Sequence, residues 1–490
     1  MKHELAFLSA TEQLSAFRNG DFTPTEVLEA QLELVTADRE RKDERINALS
    51  EIMETEARAG AAVATETYAK SRRAKHAQQL PPLLGISVVA KEKHGLAGRS
   101  LSMGLLSQKH AVAESDHPII ERLRAAGAIL HGRATSPEFS CATVTHSPIW
   151  GVTRNPWNPQ MSPGGSSGGS GAALAAGFST LATASDIAGS TRIPAAFTGT
   201  VGYKAPYGRI PGAGELASDR YRGDGPMGRT VTDVLLMSSI ISGTHPADSN
   251  SWGPNNQSPL TEEASLAELR IGISLELGNY PVSQTVAEAF SSTIQQLQDL
   301  GANIVEVDLP WTTDQVRETS FAHFGQILAP AMAQIIGDSQ APRAAYTDRF
   351  IADAMAHAES MSMIDSLRLD ALFNQQLNTA MSEVDVLLCP TNAVDWLRAD
   401  GDYLDGLSIS GRQLKHYWEG HMTSPFNIAN HRPVMNLPCG VGEANIPIGL
   451  QIVGQPWDEK TVFQMALAME RIIQFSNGNP YPALAGTLTR

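Results

Sequence analysis

Along the first 80 residues the apolar positions recur at helical spacing. Leu28, Leu32 and Val35 share one face of a segment that opens on Thr23, Pro24 and Glu26, a capping box with proline at the first helical position. Ser9 and Glu12 make an earlier capping box. Residues 1–80 therefore read as a helical arm. The pattern then changes to LLGISVVA over residues 83–90, a short run rich in β-branched types that predicts a buried strand leading into Lys91. A helical stretch over 118–126 and a short strand, AILHG, follow.

Residues 162–171 read SPGGSSGGSG and pass into AALAAG, a helix of small side chains that stops at Gly177 and is expected to lie buried against neighbouring backbone. Residues 179–185 predict a strand that ends in a sharp DIAGS turn. From about 255 to Glu383 the pattern is helical and methionine-rich, and Met355, Met361 and Met363 are expected to pack between helices. VDVLLC and IPIGLQIVG read as strands, and a last helix carries Val462, Ala466, Met469 and Ile473 on one face. No internal repeat or convincing linker interrupts the chain, so 81–490 is expected to form one compact unit with the arm, its region of about 255–425 being helical.

Composition narrows the class. With 42% apolar and 18% charged residues the chain can bury enough surface to offset its ordering entropy. A formal charge of −15 disfavours nucleic acid and anionic membrane surfaces as partners. No window approaches the roughly 18 consecutive apolar residues of a spanning helix, and the N-terminal residues mix charge into their apolar positions, so the expected location is cytoplasmic. Cys141, Cys389 and Cys439 show neither a disulfide framework nor a metal-binding spacing and read as small hydrophobes.

Two serines, Ser166 and Ser190, stand in glycine-rich backbone that allows a substrate to approach amide groups closely. The DIAGS turn would aim the amides of Ile187, Ala188, Gly189 and Ser190 inward, as a developing oxyanion requires. A serine needs a base, and no histidine lies near either one in sequence. A lysine serves if burial holds it neutral; Lys91 at the end of an apolar strand fits, and Lys93 is its same-face rival. Gly164, Ser166 and Gly168 also satisfy GxSxG, the nucleophile elbow, with His416, His421 or His431 as base. That motif requires an apolar strand before it, whereas residues 155–163 contain three prolines.

PGGSSGGSG, the later DIAGS and the lysine that ends GISVVAK together resemble the amidase signature family of Ser-Ser-Lys hydrolases. The resemblance continues in NPWN (155–158), RIPAAFTGTVGYKAPYGRIPG (192–212), GPMGRTVTD (225–233), LLCPT (387–391) and GLQIVG (449–454). It implies an α/β fold with a mixed central β-sheet flanked by α-helices on both faces, the N-terminal arm packing outside. It also implies Ser190 as the acylated nucleophile, Ser166 as the bridging serine after a cis peptide bond from Gly165, and Lys91 as the base. Asp186 and Arg192, flanking the nucleophile, are expected in support.

The implied activity is hydrolysis of a carboxamide, or of a related ester or carbamate, through a serine acyl-enzyme without metal or organic cofactor. The implied partner is a small-molecule amide or carbamate; a homo-oligomer is left open. Specificity is expected in residues 133–145, 205–224 and 315–425. The chain departs from the family pattern at Glu92, Ala188, Tyr203, Ala205 and His431. Ala188 brings a methyl group into the oxyanion turn, costly only if that position needs a positive φ. Two further readings are a glutamine-hydrolysing subunit of a tRNA-dependent amidotransferase complex, although SDRYRGDGPMGR lacks the SSLDQIGP-like stretch of that branch, and a binding protein whose site Ala188 has damaged.

Overall fold

The computed structural model describes residues 3–73, 79–255 and 263–482. Its centre is an eleven-stranded sheet. The strands are β1 (Leu49–Ile52), β2 (Ser87–Lys91), β3 (Ile129–Ala134), β4 (Leu181–Asp186), β5 (Val201–Lys204), β6 (Gly223–Gly228), β7 (Arg270–Ile273), β8 (Asn303–Glu306), β9 (Val386–Pro390), β10 (Val434–Val441) and β11 (Pro447–Gly454). Their spatial order is β1-β3-β2-β4-β6-β5-β10-β11-β9-β7-β8. The sheet is mixed: β2 runs parallel to both β3 and β4, whereas β4 pairs antiparallel with β6.

Strand periodicity decides which side each residue packs on. Val88 and Leu181 join one apolar cluster with Val462, Phe463 and Met469 of the helix Glu459–Ile473. Their neighbours Val89 and Ala182 join another with Ala172, Ala173 and Leu174 of the helix Gly168–Ala175. Successive residues thus reach opposite faces, and each face is covered by helix. The small-residue helix is buried along its whole length, and both N-terminal capping boxes form.

Two expectations need correction. The arm is not purely helical, because β1 pairs antiparallel with β3 and makes one edge of the sheet. LSEI is too short and too polar on its exposed side to stand out as a strand. Met355 and Met363 do not pack between helices; they are 39% and 51% exposed. In the helix Ala345–Glu359 the buried face is Tyr346, Phe350 and Ala354, and Met355 lies outside it. Among the described residues no helix is long and apolar enough to cross a membrane.

Candidate active site

Lys91 ends β2 and Asp186 ends the parallel neighbour β4, so both strands deliver chemistry at the same edge of the sheet. The Lys91 backbone N–H donates to Thr183 Oγ1 at 2.9 Å, tying the two strand ends together. Between them the chain passes through the loop 163–167 before entering the helix Gly168–Ala175. The peptide bond from Gly165 to Ser166 is cis. Glycine at 165 is a steric demand: a Cβ there would sit 2.6 Å from the Ala142 carbonyl oxygen and 2.8 Å from that of Val144.

The Lys91 amine is fully buried and faces three hydroxyls, Ser166 Oγ at 2.7 Å, Ser167 Oγ at 2.9 Å and Ser185 Oγ at 2.9 Å. Burial pushes its pKa well below the ordinary lysine value, and the nearby charge of Lys93 pushes the same way. A neutral amine has two N–H groups and one lone pair. The Ser167 hydroxyl is directed at the Ser185 carbonyl, 3.4 Å away, so Ser167 accepts from Lys91. The other N–H and the lone pair are left to face the Ser166 and Ser185 hydroxyls. Lys93, the same-face rival, is instead 3.2 Å from Asp224 Oδ1.

Ser190 closes the turn after β4 and faces the same cavity as Ser166 and Ser185. Its carbonyl accepts from the Ser167 N–H at 3.1 Å, which holds the two loops together. Among the described residues the amides of Ile187, Ala188 and Ser190 donate to no protein acceptor. Gly189 is the correction to the expected four-amide cradle, because its N–H donates to Asp186 Oδ1 at 2.7 Å. Asp186 is buried, which raises its carboxyl pKa, but Arg192 and Asn427 outweigh burial and hold it at about 2. Arg192 Nε and Nη2 reach its two oxygens at 3.0 and 2.9 Å, and Arg192 also donates to Gln451 and Asn427.

Ala188 does not adopt a positive φ, so its methyl carries no backbone strain; the left-handed position is Gly189, at φ 120°. Ala188 O accepts from Thr423 Oγ1 at 2.5 Å. A side chain at 189 would run into that same threonine.

A cavity of about 460 Å³ opens over Ser166 and Ser190. Its walls come from the loops near Met103, Phe139 and Ile210 and from Leu328, Met332 and Ile335 of the helix Leu328–Ile336. Beneath it Asp224 gathers Lys93, His94 and His117. Burial pushes His94 down to about 3, so the ring is neutral. Its Nε2 lies 2.9 Å from Asp224 Oδ1 and its Nδ1 2.7 Å from Thr183 Oγ1. A lone pair cannot face a carboxylate, so Nε2–H donates to Asp224 and Nδ1 accepts from Thr183. His94, His117 and Asp224 bring ligand-type atoms within 4.8 Å of one another. The Lys93 amine already meets the same carboxylate.

The rival histidines lie elsewhere. His421 bonds Asn392, His416 caps the turn Tyr417–Gly420, and His431 stacks on Trp457. Sequence reasoning does not find Ser167, Ser185, Thr183, Thr423 or the 101–117 wall. Ser167 is visible beside Ser166 in the glycine-rich run, whereas Ser185 and Thr183 show their value only when β4 is aligned on β2. Glu92 accepts from the N–H groups of Ser102 and Met103, at 2.6 and 3.1 Å, and so anchors that wall.

The Amidase family profile matches residues 31–463. A glutamyl-tRNA(Gln) amidotransferase subunit of Chloroflexus aurantiacus is 30% identical, over 97% of this chain and 99% of its own. The corresponding protein of Methanosarcina barkeri is 28% identical, over 81% and 87%. Among solved structures, a bacterial aryl acylamidase of the amidase signature family superposes with a TM-score of 0.84 at 24% identity, covering 97% of this chain and 98% of that one. A 6-aminohexanoate cyclic dimer hydrolase complexed with substrate gives 0.78 at 25% identity, covering 96% and 97%.

Proposed function

Because the chain belongs to the amidase signature family, we propose that it hydrolyses the C–N bond of a small carboxamide through an acyl-enzyme on Ser190. The observation that carries this reading is the buried Lys91 amine 2.7 Å from Ser166 Oγ, with Ser166 and Ser190 facing one cavity. Ser190 Oγ attacks the carbonyl as its proton passes to Ser166, whose own proton passes to the Lys91 lone pair. The oxyanion that forms is met by the amides of Ile187, Ala188 and Ser190. On collapse the C–N bond breaks and the amine leaves with a proton returned through Ser166. Water then attacks the acyl group by the same relay and releases the acid.

The relay acts on the carbonyl, so carbamates and aryl esters are within its chemical range. The 30% identity to an amidotransferase component supports a second reading, in which the amide is glutamine and the chain works within a complex. One panel separates these: anilides, primary amides, aryl esters, carbamates and free glutamine, each given to wild type and to Ser190→Ala. The proposal expects turnover of at least one small amide by the wild type and none by the variant. Turnover of glutamine alone, with the protein eluting in a larger complex from a sizing column, favours the second reading.

A further inference from the structure

Among the described residues, the charged side chains that line the cavity below its rim are matched, with one exception. Lys93 meets Asp224, Asp186 meets Arg192 and Asp116 meets Arg124. Asp248 accepts from the N–H groups of Gly212 and Asn250. Glu114 and Glu215 are exposed at the rim and bear no desolvation cost. Arg222, which also lines the cavity, makes no ion pair and no side-chain hydrogen bond, and its Nε is buried without a partner. Asp219, three residues back, bonds His323 at 2.7 Å; the Arg222 charge helps lower its pKa, but the two side chains form no ion pair.

Strand register puts Arg222 beside the chemistry. In the antiparallel pair of β4 and β6, Ser185 stands opposite Asp224 and Asp186 opposite Gly223. The next residue out on each strand is Ile187, the first of the oxyanion turn, and Arg222. A guanidinium is a planar fork of donors that matches a carboxylate, and a buried N–H without an acceptor costs free energy until a ligand supplies one. The Arg222 charge also helps lower the Lys91 pKa, but in a chain of net charge −15 a cation held in the reaction cavity without a hydrogen-bonding acceptor is placed to meet an anion there.

We propose that Arg222 binds an anionic group of the substrate, so that the amide this site takes carries a carboxylate a few bonds from the scissile carbonyl. The inference rests on the hydrolase reading for what happens at the carbonyl, and on Arg222 alone for the anion. The carboxylate is on either the acyl half or the amine half, and each source has its own probe.

The test is binding to Ser190→Ala, which does not require turnover. N-phenylsuccinamic acid carries its carboxylate on the acyl half and 4-acetamidobenzoic acid on the amine half; each is titrated calorimetrically against its methyl ester. One acid is expected to bind about tenfold or more tightly than its ester, the range of a charge-assisted hydrogen-bonded pair. Adding Arg222→Gln is expected to bring acid and ester within about threefold, while Arg222→Lys keeps part of the preference. Equal binding of acid and ester, a preference that survives Arg222→Gln, or no binding of either acid at millimolar concentration overturns the inference. Wild-type turnover is followed in parallel: acid-selective binding without hydrolysis would sink the hydrolase reading and leave the anion site standing.

Discussion

Lys91 Nζ lies 2.7 Å from Ser166 Oγ, and its two other contacts are also hydroxyls. A lysine so placed is fully buried, and among the described residues no carboxylate touches its amine to stabilise its charge. Its proton affinity is set by burial. The proposed activity therefore depends on keeping that amine neutral, and several outcomes follow from the atoms around it.

Lys91→Met keeps the bulk of the buried stem and removes the lone pair. Turnover is expected to fall about 10²- to 10⁴-fold, the usual range for a lost general base, with the melting curve retained. In the wild type, kcat/KM is expected to rise with pH as Lys91 loses its proton, since the lowered pKa is that of the acid form which must be removed. A Lys91→Met chain of full activity, or an acid limb of the pH–rate profile that is unchanged in Lys91→Met, contradicts the role.

Ser167 and Ser185 each bond the Lys91 amine beside Ser166 and so orient it. Replacing either by alanine leaves the proposed nucleophile and bridge intact but frees the lone pair to turn away from Ser166. A loss of about tenfold in kcat, with KM little changed, is expected for each. A loss confined to KM in substrate kinetics would assign these serines to substrate contact instead.

The Asp186–Arg192 pair is buried on both sides, at 1% and 0% side-chain exposure. Asp186→Ala strands the guanidinium and releases the Gly189 N–H from its acceptor. Destabilisation of about 3–5 kcal/mol is expected in urea unfolding, as for other broken buried pairs. At position 189 alanine is expected to cost both stability and activity, because φ is 120° and Thr423 blocks the side chain. By contrast Ala188→Gly is expected to change kcat/KM by no more than about threefold, since Ala188 carries no positive-φ strain to relieve. Parallel kinetics on the two variants check both statements.

Asp233 and Glu470 give the fold a pH dependence of its own. Burial pushes both carboxyls up to about 7, against the pull of Arg229 and backbone N–H donors on Asp233. An acid whose folded pKa lies above its unfolded value contributes most stability when protonated, and that contribution is lost as pH climbs towards 7. Asp233→Asn keeps the Oδ1 acceptor for the Ala10 N–H and removes the titration. The variant is expected to gain on wild type as pH rises from about 5 to 7.5; melting temperatures that keep a constant difference over that range would refute it.

Much of this site can be read in the primary structure because its parts are local. PGGSSGGSG and DIAGS carry their glycines where backbone crowds backbone, as at Gly165, or where φ is positive, as at Gly189. The apolar run before Lys91 announces both a buried strand and a desolvated amine. What cannot be read depends on distant pairings. Ser185 and Thr183 matter only through the parallel register of β2 and β4, and Thr423 arrives from the far end of the chain. The Gly189 N–H reads as an oxyanion donor until the folded chain brings Asp186 round to claim it. The edge strand β1 escapes a sequence reading since four residues, half of them polar, give too short a pattern to set a period.

The most direct test of the account is the identity of the atom that is acylated. Wild-type protein is treated with an aryl fluorophosphonate, digested and sequenced by mass spectrometry. The account predicts a single stoichiometric adduct on Ser190, slowed about 10²-fold or more by Lys91→Met and absent from Ser190→Ala. An adduct on Ser166 with Ser190 unmodified, or labelling of Ser190→Ala at the wild-type rate, would contradict it.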